Sequence, residues 1–88
     1  MRDRYMRTTQ SFIMVYSISD RKSFDEIQYF WEQILRVKDV DWCPSILVGN
    51  KCDLDESKRV ISFEEGEKLA KRLNIPFIET RFGFYFWI

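Results

Sequence analysis

Three short apolar runs separated by two helical patterns leave this chain few ways to fold. Phe12–Ile18 (FIMVYSI) is nearly continuous and rich in β-formers, and Ser45–Gly49 (SILVG) and Pro76–Thr80 (PFIET) are shorter relatives. Runs without polar alternation suggest strands covered on both faces, as in a parallel sheet. Between the first two, Phe24, Ile27, Trp31, Ile34 and Leu35 recur on one helical stripe. Ser23 and Glu26 have capping-box spacing near its start, with Asp20 as the alternative cap. Phe63, Leu69, Ala70 and Leu73 repeat the stripe, Ser62 and Glu65 repeat the capping-box spacing, and Asn74-Ile75-Pro76 supplies a stop. The order strand, helix, strand, helix, strand predicts two overlapping βαβ units with right-handed crossovers. Ligands of such sheets bind beyond the carboxyl ends of the strands. Here that edge is formed by Asn50-Lys51-Cys52-Asp53 and by Glu79-Thr80-Arg81-Phe82.

Composition narrows the function classes. The 88 residues carry 14 Lys+Arg against 14 Asp+Glu and no His, so no basic footprint for nucleic acid exists. A 45% apolar share with 32% charged residues suits a globular domain rather than a disordered one. A domain of this size buries only about 60–65% of its unfolded surface, which predicts marginal stability. Cys43 and Cys52 alone make neither a disulfide framework nor a four-ligand zinc site, and with no signal-peptide pattern they point to a reduced, cytoplasmic setting. The longest unbroken apolar runs, Phe12–Tyr16 and Phe84–Ile88, are too short to cross a bilayer. Aromatics reach 17%, and five of them (Phe82, Phe84, Tyr85, Phe86, Trp87) fall in the last eight residues.

The chemistry lies in Asn50-Lys51-Cys52-Asp53, of the form Asn-Lys-x-Asp. An ionised carboxylate offers two acceptors to the adjacent N1 and N2 donors of guanine, so Asp53 can accept a bidentate pair. Adenine lacks those donors, and a buried unpaired carboxylate rejects it. The Asn50 amide can donate to N7 and tie loops together, while the aliphatic stem of Lys51 lies along the base and sugar. Asn, Lys and Asp are also ordinary turn residues, and three fixed positions match by chance on the order of one per cent of the time in so short a chain. Their place directly after an apolar strand favours the base-binding reading.

At these residues the chain resembles small GTPases of the Ras superfamily, nearest the Ras and Rap branch. The resemblance is carried by Met1-Arg2-Asp3-Arg4-Tyr5-Met6-Arg7-Thr8, Phe12–Ile18, Lys22-Ser23-Phe24-Asp25-Glu26-Ile27, Glu32-Gln33-Ile34, Arg36-Val37-Lys38-Asp39, Leu47-Val48-Gly49-Asn50-Lys51-Cys52-Asp53-Leu54 and Ile75-Pro76-Phe77-Ile78-Glu79-Thr80. It implies an α/β, three-layer P-loop NTPase-type fold, present here as a partial parallel sheet of three strands and two crossover helices. Residues 1–80 then form the C-terminal portion of a Ras-like domain, followed by a non-homologous aromatic tail, 81–88. The family is a GTP/GDP-binding, magnesium-dependent molecular switch in signal transduction. By the resemblance, Asn50, Lys51, Asp53 and Leu54 belong to its guanine-specificity motif, and Thr80, Arg81 and Phe82 occupy its second base-contacting motif, which Glu79 opens.

The departures carry expectations of their own. Gly49, Gly66 and Gly83 are the only glycines, so no G-x-x-x-x-G-K-[ST] loop can be read, and the family's magnesium ligands and water-orienting glutamine have no counterparts. Arg81, Phe82 and Gly83 stand where the family has Ser-Ala-Lys, which puts that contact in doubt. Tyr85 replaces the cysteine of a C-terminal prenylation motif, so no family-type lipid anchor is expected. The chain alone is expected to be catalytically silent and poorly stable, with an unpaired apolar edge at Phe12–Ile18. The aromatic tail, low in charge, is an aggregation hazard. The alternative reading is a non-enzymatic fragment that meets GTPase regulators or effectors through Met1–Thr8 and the helix Ser23–Lys38, or a truncated gene product without function.

Overall fold

The structure is a computed structural model that describes residues 11–51 and 56–80. Strand β1 (Phe12–Ser17), helix α1 (Arg21–Lys38), strand β2 (Ser45–Asn50), a single 3-10 turn (Glu56–Lys58), helix α2 (Phe63–Leu73) and strand β3 (Phe77–Thr80) follow in the anticipated order. The strands form one parallel sheet in the order β1-β2-β3, with Met14 opposite Leu47 and Leu47 opposite Phe77. Each crossover is a helix, as parallel neighbours require.

Local chemistry explains where the elements begin and end. Asp20, rather than Ser23, caps α1, its carboxylate accepting from the Lys22 N–H at 3.1 Å. Ser23 instead accepts from the Ser17 N–H at 2.9 Å and donates to the Asp20 carbonyl at 2.8 Å, joining the strand end to the helix start. At α2 the reciprocal Ser62–Glu65 capping box forms as the spacing predicts. Both helices end on short polar residues in the left-handed region, Asp39 at φ 58° and Asn74 at φ 61°. β3 begins at Phe77 because Pro76 has no N–H to give; its carbonyl accepts from Leu47 at 2.9 Å.

The continuous apolar character of β1 does not mean burial on both faces. Phe12, Met14 and Tyr16 are buried, whereas Ile13 is 36% and Val15 53% exposed. The physical reason is that Ile27, Trp31 and Ile34 of α1 and Leu69 and Ala70 of α2 share one core with Phe12, Met14, Tyr16 and Leu47, so both helices lie on the same face. The described residues therefore make one helical layer on one sheet, and the opposite face shows Ile13, Val15 and Ile78. Among them no strand pairs with the outer edge of β1. Phe63 also departs from its stripe: it is largely exposed and only leans on Phe77, ring centroids 5.2 Å apart. Three core residues, Cys43, Ile61 and Ile75, lie in connections, where no periodic pattern announces them. The expected tail, residues 81–88, lies outside the described residues, as does Met1–Thr8.

Gly66 sits inside α2 without a left-handed φ, where glycine is usually a weakness. Its reason is contact: a Cβ there would lie 2.3 Å from the Tyr16 hydroxyl and 2.5 Å from the Phe77 ring. Gly66→Ala is therefore expected to lower stability by about 1–3 kcal/mol despite its better helix propensity. Ile34→Ala, at a fully buried position, should cost about 2–5 kcal/mol, while Val15→Thr on the open face should change little. Urea titrations followed by circular dichroism check all three.

Candidate base-binding edge

Where β2 and β3 end side by side, their register places Asn50 opposite Thr80. The chain leaves β2 through Lys51, whose N–H donates to the Thr80 carbonyl at 2.7 Å. Asn50 is thus the last residue of a strand rather than the first of a loop, and its backbone is held by the sheet on both sides. The structure brings three of the anticipated site residues, Asn50, Lys51 and Thr80, to one edge. Asp53, Leu54, Arg81 and Phe82 lie outside the described residues.

The electrostatic centre of this edge is Glu79. Its side chain is 8% exposed and meets two cations: the Lys51 ammonium at 3.3 Å on Oε1 and the Arg59 guanidinium on Oε2. Arg59 is itself fixed by Nε, which donates to the Ile61 carbonyl at 2.7 Å. Arg59 escaped the sequence reading because it lies in a connection and belongs to no spacing pattern. Glu79 was legible as part of a strand-end segment at this edge, and through the resemblance as the opening of the second base-contacting motif.

Below the ion pairs lies Tyr16, almost wholly buried, its ring meeting Phe24 edge-on at 4.8 Å. Burial first, and then the negative charge of Glu79, push the Tyr16 phenol up to about 12, partly opposed by Arg59. Gly49 makes room for this layer, since a Cβ there would lie 2.9 Å from the Tyr16 hydroxyl and 3.2 Å from Glu79 Cγ.

Two buried polar atoms among the described residues have no hydrogen-bond partner, the Tyr16 hydroxyl and Asn50 Oδ1. An unpaired amide oxygen at a ligand-facing strand end is uncommon in a packed structure and is suited to an incoming N–H donor. That atom can accept from a tethering loop N–H, which leaves the NH2 of the same amide as the donor that a base nitrogen needs. No group of three His, Cys, Asp or Glu side chains converges among the described residues. Two grooves, about 390 Å³ beside β1 and α1 and about 380 Å³ between the helices, lie on other parts of the surface. No described helix is long and apolar enough to cross a membrane.

Comparison with known proteins meets this geometry from the other side. The Ras family model matches residues 1–81. The chain is similar to a Ras-like protein of Laccaria bicolor, 59% identical over 80 residues that cover 91% of this chain and 38% of that protein. It is likewise similar to Ras-like protein 1 of Saccharomyces cerevisiae (strain ATCC 204508 / S288c), 54% identical over 80 residues, covering 91% of this chain and 26% of that protein. The chain thus spans well under half the length of either relative.

The raised Tyr16 pKa makes a signed prediction. The folded phenol holds its proton more tightly than the unfolded one, so stability is fully present below pH 10 and is lost as the pH rises through about 12. Denaturation midpoints measured across that window should fall in the parent chain, and Tyr16→Phe should remove the Tyr16 share of the decline.

Proposed function

The chain belongs to the Ras family, and from that premise we propose that it is the guanine-recognising portion of a GTP/GDP-binding switch that acts in signal transduction. The carrying observation is Asn50 Oδ1, buried without a partner at the carboxyl edge of the sheet, next to a Lys51 clamped to β3. In this reading Asn50 Oδ1 accepts from a tethering loop N–H, and the Nδ2 of the same amide is thereby aimed to donate to guanine N7. The Lys51 stem lies along the base and sugar, and Asp53, three residues past Asn50, accepts the N1 and N2 donors of guanine through both carboxylate oxygens. Leu54 follows in the same motif, and Thr80, Arg81 and Phe82 stand at the second contact, where the backbone N–H groups rather than the side chains serve.

The nucleotide supplies the phosphates on which hydrolysis takes place. Within these 88 residues no G-x-x-x-x-G-K-[ST] loop cradles them. Base contacts by themselves discriminate more than they bind, so the 88-residue chain is a weak ligand of GDP and GTP and turns neither over. Regulators and effectors of the switch belong to the same proposal, which assigns them to Met1–Thr8, by its resemblance to the end of the switch II region, and to Ser23–Lys38 of helix α1.

Titration of purified 1–88 with GDP should show binding weaker than micromolar, and incubation with GTP should release no phosphate; micromolar affinity together with turnover of GTP overturns the silence proposed for this chain. In competition titrations Asp53→Asn should move base preference from guanine toward xanthine by about tenfold to a hundredfold, because an amide can donate to the additional carbonyl. Unchanged preference removes Asp53 from its role.

A further inference from the structure

We propose that Glu79 is a positioning residue for Lys51, setting the lysine side chain against β3 before any nucleotide arrives, with Arg59 balancing the buried charge. The inference rests on the base-binding reading for its purpose but on the ion-pair geometry for its substance. A carboxylate has two oxygens, and here each takes one cation, Oε1 the Lys51 ammonium at 3.3 Å and Oε2 the Arg59 guanidinium. The two cations are not equivalent. Arg59 is also hydrogen-bonded to the Ile61 carbonyl and is 16% exposed, whereas the Lys51 ammonium meets Glu79 and its side chain is 24% exposed.

Among the described residues Lys51 is otherwise tied through its backbone, whose N–H donates to the Thr80 carbonyl. A lysine side chain in solution samples many rotamers, and a site that uses its stem must order it; an ion pair formed in advance removes part of that cost from binding. Gly49 fits the same purpose, because a Cβ there would lie 3.2 Å from Glu79 Cγ and press on the side chain that carries the carboxylate. The net result is a clasp across three segments: the end of β2, the connection before α2, and β3.

The test needs no nucleotide, so failure of guanine binding leaves it intact. The intact 88-residue chain is treated with a limiting amine-acylating ester, and labelling of Lys51 is compared by peptide mapping with that of the exposed Lys68 and Lys71. The Lys51 ammonium is held 3.3 Å from Glu79 with its side chain 24% exposed and so meets the ester less readily, and Lys51 should label about fivefold slower than either. Glu79→Gln should bring Lys51 within about twofold of them. Arg59→Gln should leave it slow or slower, since the carboxylate loses its competing cation, and Glu79→Asp should restore part of the protection. Circular dichroism accompanies each variant. Opposite responses to Glu79→Gln and Arg59→Gln support positioning, because simple loosening of the fold moves both the same way. Equal labelling of Lys51, Lys68 and Lys71 in the parent chain, or acceleration by both variants alike, overturns the proposal. If Glu79→Gln does not fold, the parent and Glu79→Asp rates decide: a parent Lys51 as reactive as Lys71 overturns it, and a protected Lys51 partly released by the shorter carboxylate supports it.

Discussion

β2 is paired with a parallel strand along each edge and buries Leu47 completely against the helices, and the place of every other element follows from it. Its neighbours are set by two crossovers of the same kind, so α1 and α2 arrive on one face and pool their apolar stripes. Burial of that face is the main driving force available to a chain this small. Among the described residues the same placement leaves Ile13, Val15 and Ile78 exposed on the other face.

The end of β1 shows how a few backbone groups relay this order to the functional edge. The Ile18 N–H donates to the Asn50 carbonyl at 3.2 Å, and the Ile18 carbonyl accepts from Val60 at 2.8 Å and Ile61 at 2.9 Å. The connection before α2 is thereby pinned beside β1 and β2, with Ile61 buried beneath it. Arg59 can reach Glu79 only because of that docking. Packing at the same level is tight: Tyr16 lies between two glycines, Gly49 and Gly66, either of which would collide with its hydroxyl if it carried a side chain.

Glu79 illustrates why a nearly buried ion pair should be read as a device for specificity before it is read as a source of stability. Desolvating a carboxylate and two cations costs several kcal/mol, roughly what their attraction returns. What the arrangement supplies is direction, since three segments distant in sequence are required to meet at one carboxylate. By contrast, the Arg21–Glu65 pair at 2.8 Å joins the starts of the two helices while largely solvated. The hydrogen bond from Arg21 holds the Glu65 carboxyl below its ordinary value, but such an exposed pair adds little to stability.

Much of the architecture was legible from periodicity: the order of elements, the parallel sheet, the stripe of Ile27, Trp31 and Ile34, and the capping box at Ser62 and Glu65 are local patterns whose physics acts within a few residues. The Asn-Lys-x-Asp spacing likewise pointed to the carboxyl edge of β2 without any coordinates. Other features depend on contacts between distant segments and left no local trace. Which face of β1 is covered depends on where two helices pack, and the cap of α1 fell to Asp20 because Ser23 was drawn to Ser17. Arg59 meets Glu79 twenty residues further along the chain, and Gly66 is required by a tyrosine fifty residues before it. Sequence by itself determined the elements and the chemistry offered at the strand ends, because hydrogen bonding and side-chain period are local. Tertiary structure alone decided which charges meet, which amide oxygen stays unpaired and which sheet face is open, because burial and Coulomb energy depend on distances that only the folded chain defines.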